Sequence, residues 1–396
     1  MKRFLICLTV LFLAFTFVNC KTGEEGSTLP GGKFNWQDLL SKFGKGKGGK
    51  TDVCAGVEQE GNPLYAEYQS WDSGDITRLW LPKDPTDVRI AYGTNASNFA
   101  ELRFAKTDAL KGPNGYPVMV VIHGGAWRAD TPLTQISPMA DAFSGLGFVS
   151  YNIEIVRRGN GLSSVGNINT GGYPATTRNT GAAIDHLRNI AEKYNLDLDR
   201  VLVTGHSSGG HLALWAASRE VLPPGDPCYV ADPLPVKGVI SLGSIANMQY
   251  AYDGYDPAGG PTAIRVDMKE FLFMDQDASM ENILAFVSPW HMLTGEPVGA
   301  HSGFVPKFRS AHYVGLHDNP WRVAGLVQYN DTVNAKAPGF SRNYQLPEDS
   351  SEYDLIDPCS PNWTQIVKDV YWMLEEDPPC DVTHSVYCPV KGQVPY

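Results

Sequence analysis

The chain has 396 residues, 43% of them hydrophobic and 11% aromatic, enough apolar material for a large buried core. Only 19% are charged, too few for a mainly disordered chain, and the formal net charge of −11 opposes a polyanionic partner. No Lys/Arg run is interleaved with aromatics, so nucleic-acid binding drops out of the expected functions.

At the N-terminus, Lys2 and Arg3 precede an apolar run from Phe4 to Val18 that is short for a membrane span. Residues 1–20 therefore predict an export signal, hence a secreted, extracellular protein with no transmembrane segment. The competing reading is a lipoprotein signal with Cys20 acylated. Residues 21–60 are expected to form a flexible leader, rich in Gly and Lys up to Lys50. A folded domain is expected over 61–376, then a Cys/Pro-rich tail over 377–396.

Cleavage beyond Cys20 leaves Cys54, Cys228, Cys359, Cys380 and Cys388. That odd set predicts disulfides plus a free thiol or an intermolecular bridge, as an oxidising compartment permits. Their spacing matches no zinc knuckle, so no metal is expected. Asn95, Asn330 and Asn362 each open an N-x-Ser/Thr sequon and are candidate glycosylation sites.

Arg89–Tyr92 and Glu101–Ala105 read as early antiparallel strands. Pro117–Ile122 is a continuous apolar run of strand length; Gly147–Ile155, Arg200–Thr204 and Lys237–Leu242 read as further buried strands, and Ala311–Leu316 and Phe340–Leu346 as a fifth and sixth. Helical spacing covers Thr176–Tyr194, Gly209–Arg219 and Trp363–Leu374. The alternation predicts an α/β protein with a mostly parallel, doubly wound sheet flanked by helices. Residues 246–287 read as a small insertion over the sheet.

Two motifs carry chemistry. Gly205-His-Ser207-Ser208-Gly209-Gly210 matches G-x-S-x-G between an apolar run and a helix. A serine on such a turn points its hydroxyl out of the sheet, and the helix start aims free N–H groups at a developing oxyanion. Without that chemistry, the motif is a glycine-rich strand–helix turn. Upstream, His123-Gly124-Gly125-Ala126-Trp127 ends another apolar run. Gly124 and Gly125 are expected to supply backbone donors which, with the N–H of Ser208, form an oxyanion hole around Ser207. His123, Trp127, Gly205 and Gly209 are assigned to shaping the two turns.

Together these motifs resemble the carboxylesterase and kynurenine-formamidase-like branch of the α/β-hydrolases, over roughly residues 75–375. The resemblance implies an α/β-hydrolase fold, hydrolysis of small-molecule esters or amides, and no cofactor. It also implies an acid after a late strand and a histidine before the final helix. Asp318, in His312-Tyr-Val-Gly-Leu-His-Asp318, takes the acid position; its other reading is a turn residue capping the next helix. The histidine position, just before Tyr353-Asp-Leu-Ile-Asp-Pro358, holds Glu352. A carboxylate is a poor base for a serine hydroxyl unless its pKa is raised, as burial beside Asp318 would do. His291, His301, His317 and His384 are the candidate substitutes, whereas His206 and His211 flank the serine but are expected to point elsewhere by the geometry of the turn and helix. Two functions follow: a secreted serine esterase or amidase of reduced or absent activity, or a non-catalytic extracellular protein that binds matrix or another protein on a hydrolase scaffold.

Overall fold

The computed structural model describes residues 28–29, 32–33, 87–158, 171–254, 263–272, 281–296, 301–315, 318–346, 352–360 and 362–378. The expected export signal lies outside the described residues, as do most of the leader and of the tail. The chain divides into two units, 1–42 and 43–396. In the first, Thr28–Leu29 pairs antiparallel with Gly32–Lys33, inside the segment expected to be a flexible leader.

The second unit is built on one eight-stranded sheet. Its strands are β1 (Val88–Ala91), β2 (Phe99–Arg103), β3 (Tyr116–Ile122), β4 (Val149–Ile153), β5 (Leu196–His206), β6 (Gly238–Leu242), β7 (Arg309–Val314) and β8 (Ser341–Gln345). Their spatial order is β8-β7-β6-β5-β3-β4-β2-β1. β2 runs antiparallel to both its neighbours, β1 at the edge and β4 on its other side, and all other neighbours are parallel. The central strands are mostly apolar because helices cover both faces: Pro117–Ile122, Val149–Ile153 and Gly238–Leu242 are buried at every residue, the polar Ser150, Asn152 and Ser241 included.

The helices are α1 (Ser137–Leu146), α2 (Ala175–Asp185), α3 (Leu187–Tyr194), α4 (Ser208–Ala217), α5 (Met248–Asp253), α6 (Ala263–Phe271), α7 (Glu281–Val287), α8 (Pro289–Thr294), α9 (Pro320–Lys336) and α10 (Asn362–Leu374). α10 sets Trp363, Ile366, Val367, Val370 and Leu374 on one stripe, packed with Met119, Val121, Leu202 and Ile240 of the sheet. Among the described residues, no helix is long and apolar enough to cross a membrane.

The expected strands are all present, with ends displaced by a few residues. The single helix expected over Thr176–Tyr194 is two, α2 and α3, meeting at His186. There a tight i to i+3 bond, Asn189 N–H to His186 O at 2.9 Å, marks the joint. The insertion over 246–287 is helical where it is described, contributing α5, α6 and α7.

Strand order positions the site. The chain leaves β3 for β4 on one side, then returns past β3 to β5 on the other. β3 and β5 are thus neighbours, with Ile122 beside Gly205. In open α/β sheets the crevice beyond the carboxyl ends of such strands is where ligands bind. Both sequence motifs begin there.

Candidate active site

Ser207 occupies φ 52°, ψ −116°, a region non-glycine residues seldom enter and one costing about 1–3 kcal/mol. The neighbours that hold it there are packed at backbone contact. A Cβ on Gly205 would lie 2.2 Å from Gly209 O, and one on Gly209 would lie 2.3 Å from both Ile122 O and His123 O. Only glycine lets the start of α4 press against the end of β3. Ser207 is anchored from below by its N–H to Leu242 O at 2.8 Å. It is partly exposed, while His206 and Ser208 are buried. No described residue hydrogen-bonds its hydroxyl.

The loop after β3 turns through three successive positive φ values, 100° at Gly125, 52° at Ala126 and 59° at Trp127. Trp127 is fully buried, stacks on Phe271 of α6 at 4.4 Å, and donates its N–H to Ser208 Oγ at 3.3 Å. The Ser208 side chain therefore ties the two motifs together. His123 is also buried. Its Nδ1 lies 2.9 Å from Gly124 O and its Nε2 3.1 Å from Glu154 Oε1. With acceptors at both ring nitrogens, it braces the loop. Burial alone would raise the Glu154 carboxyl, but the His123 hydrogen bond and charge bring it below the usual range.

One oxyanion donor expected from sequence is corrected. The Gly124 N–H is committed to Gln135 Oε1 at 2.7 Å, so it cannot also turn to a ligand at Ser207. The N–H groups of Gly125 and Ser208 are engaged by no described residue. The Gln135 amide nitrogen faces His206 Nδ1 at 3.2 Å. With its oxygen accepting from Gly124, the amide must donate to that ring nitrogen, which places the His206 proton on Nε2. Gln135, on the short 3₁₀ turn Leu133–Ile136, thus locks both motifs and carries no sequence signal of its own.

Beyond β7 and β8, the structure brings Asp318 and Glu352 to one guanidinium. Arg322, on the first turns of α9, bonds Asp318 Oδ1 and Glu352 Oε2 through the same Nη1; the second bond is 2.8 Å. The Asp318 side chain is 2% exposed, Arg322 6% and Glu352 35%. The Asp318 carboxyl is raised by burial, which outweighs Arg322. For Glu352, burial also pushes upward, but the Arg322 and His206 charges bring it below the usual carboxylate range. This corrects the expectation that burial beside Asp318 would raise Glu352 into a useful base: the two carboxylates are separated by a cation that sequence reasoning missed.

Three other described histidines are bonded away from Ser207. His211 Nε2 donates to Val287 O at 2.8 Å, and His301 Nε2 lies 2.7 Å from Ala285 O. His291 Nδ1 bonds Ser288 Oγ at 2.9 Å. Burial lowers His206, His211 and His291 to about 4. His317 and His384 lie outside the described residues. Of the sequons, Asn95 and Asn330 are half-buried. Asn362 is buried, 8% exposed, and its amide donates to Ser360 Oγ at 3.0 Å. A cavity of about 320 Å³ near Arg178, His186, Trp215 and Tyr229 shares no lining residue with the Ser207 site.

Residues 108–293 match the BD-FAE family, a span that holds both glycine motifs and stops short of Asp318 and Glu352. No curated protein matches the chain. Among solved structures, the chain is similar to a bifunctional GH43-CE from Bacteroides eggerthii at 17% identity and TM-score 0.54, covering 75% of this chain and 39% of that one. The chain thus spans well under half the length of that protein. A truncated carbohydrate esterase from gut microbiota is similar at 18% identity and TM-score 0.52, over 74% and 98% of the two chains. Esterase B from Lactobacillus rhamnosis (HN001) is similar at 12% identity and TM-score 0.56, over 78% and 93%. Strand order, elbow and these structural likenesses together identify the architecture as the α/β-hydrolase fold.

Proposed function

We propose that the chain carries a serine esterase- or amidase-type site, akin to the carboxylesterase and kynurenine-formamidase-like branch, in which acyl transfer is slow. In this reading Ser207 Oγ attacks the acyl carbon of a small ester or amide. The oxyanion is met by the N–H groups of Gly125 and Ser208. The leaving alcohol or amine must recover the proton that Oγ gives up, and an imidazole would ordinarily carry it between them. Glu352 stands at that position, and an ionised carboxylate well below neutral pKa is a weak acceptor for a hydroxyl proton. Oxyanion donors and binding alone leave roughly 10³–10⁴-fold acceleration over water. The observation carrying this reading is the pairing of a strained, partly exposed Ser207 with a Glu352 held by Arg322.

A small activated ester tests it. Wild type should release p-nitrophenol from p-nitrophenyl acetate slowly, and Ser207→Ala should fall to the buffer rate. Equal rates in the two proteins would instead favour the second reading, a non-catalytic extracellular binding or matrix protein on the same scaffold. The loss of imidazole at position 352 motivates that reading as well. Export to an oxidising compartment is part of both. It is supported by the basic and apolar N-terminal run and by Cys359, which stands in a disulfide, whereas Cys228 is a buried free thiol.

A further inference from the structure

We infer that Arg322 is a second obstacle to catalysis, a positioning residue that locks the acid and base positions together, so that restoring histidine at 352 alone does not restore the site. This rests on the reading of Ser207 as a nucleophile.

Geometry carries the inference. Arg322 follows Asp318 by four residues, so both face the same side where α9 begins. Its Nη1 is shared between Asp318 Oδ1 and Glu352 Oε2, and Asp318 Oδ1 also accepts the Asn319 N–H at 3.1 Å. Asp318 Oδ2, by contrast, is buried with no partner among the described residues. It lies 3.6 Å from where a Cβ on Gly243 would stand, at the end of β6 and hence one strand from the serine turn. In a working triad that second oxygen receives an imidazole N–H and steadies the imidazolium as it forms. Here the acceptor is still present, but the carboxylate's charge is already spent on a guanidinium that never gives up its proton.

An imidazole introduced at position 352 would replace Glu352, which among the described residues shares Arg322 Nη1 with Asp318 alone. It would therefore stand beside a buried, fixed cation while itself only partly exposed. A like charge at that distance opposes formation of the imidazolium that general-base catalysis requires. Arg322 already acts in this sense on His206, whose ring burial lowers most, with Glu352 opposing and Arg322 adding to the fall. Methionine at 322 would fill most of the arginine's length without its charge and could keep the packing beside the Trp321 ring, 5.2 Å from the guanidinium carbon.

The test compares Glu352→His, Arg322→Met/Glu352→His and Arg322→Lys/Glu352→His. Each is labelled at Ser207 with a fluorophosphonate probe across pH, after thermal melts confirm folding. Arg322→Gln/Glu352→His, which keeps an amide donor for Asp318, replaces the methionine protein if that one does not fold. The expected result is E352H labelling little faster than wild type, with the charge-free double variant about 10²-fold faster. The half-maximal pH of the double variant should lie about one unit or more above that of E352H, and the lysine variant should stay with E352H because it keeps the cation. Equal rates and midpoints for E352H and the charge-free double variant would overturn the role of Arg322 while leaving Ser207 as the nucleophile. Absence of labelling in every variant would overturn the Ser207 reading and this inference with it.

Discussion

Arg322 Nη1 and Glu352 Oε2 meet at 2.8 Å, and the same nitrogen also holds Asp318. One cation between two carboxylates makes a stable local arrangement, whereas an acid–base relay requires one of those positions to give and take a proton near neutral pH. In the proposed reading, the serine turn stands beside an ion pair where a proton acceptor would be required.

Arg322→Met in the wild-type background should destabilise the fold, because the buried Asp318 loses its counter-charge. The loss should be roughly 3 kcal/mol at neutral pH, read by urea unfolding. Without the cation, the Asp318 carboxyl rises further above its unfolded value, so the native state binds the extra proton. Native stability then falls as pH rises through that window, and the deficit should be larger at pH 8 than at pH 5. An equal deficit at both would contradict the assignment.

The buried histidines set the acid response. His206, His211 and His291 are lowered to about 4, and His312 to about 3, in each case first by burial. Between the unfolded value of about 6.5 and these native values the unfolded chain binds more protons, so stability is full above that range and drains as pH falls through it. Each contributes on the order of 3 kcal/mol. His211→Gln, whose amide can donate to Val287 O as Nε2 does, should flatten the decline measured by urea midpoints between pH 7 and pH 4.

Gly209→Ala should cost more than an ordinary helix substitution. The added methyl would meet two carbonyl oxygens at 2.3 Å, so either α4 or the end of β3 must move. A loss of roughly 2–4 kcal/mol in thermal or chemical unfolding is expected. A neutral result would show the elbow to be looser than its geometry implies.

Gln135→Leu should unseat both motifs without touching either, since it strips an acceptor from Gly124 N–H and a donor from His206 Nδ1. The expected cost is about 1–3 kcal/mol, accompanied by any residual esterase activity falling further.

Sheet and elbow were legible in the sequence for a physical reason. Buried parallel strands are predominantly apolar, so Pro117–Ile122 and the Gly-Val-Ile-Ser-Leu stretch of Lys237–Leu242 announce themselves. A glycine pair around a serine between strand and helix has few structural uses. Glu352 was legible too, because its position is fixed by the Tyr353–Pro358 segment beside it. Arg322 and Gln135 were not. Each acts through a contact between segments remote in sequence, and neither an arginine on a helix nor a glutamine in a loop differs in pattern from a solvated one. The break at His186 escaped for a related reason: the apolar spacing runs on through the joint.

The pH dependence of Ser207 phosphonylation in the wild-type protein tests the central claim most directly. With Glu352 as the only acceptor at the base position, labelling should be slow and show no inflection between about pH 6 and pH 7.5, where an imidazole base would titrate. Fast labelling that rises to a plateau with a midpoint in that range would mean an imidazole serves Ser207 after all, and would contradict the account.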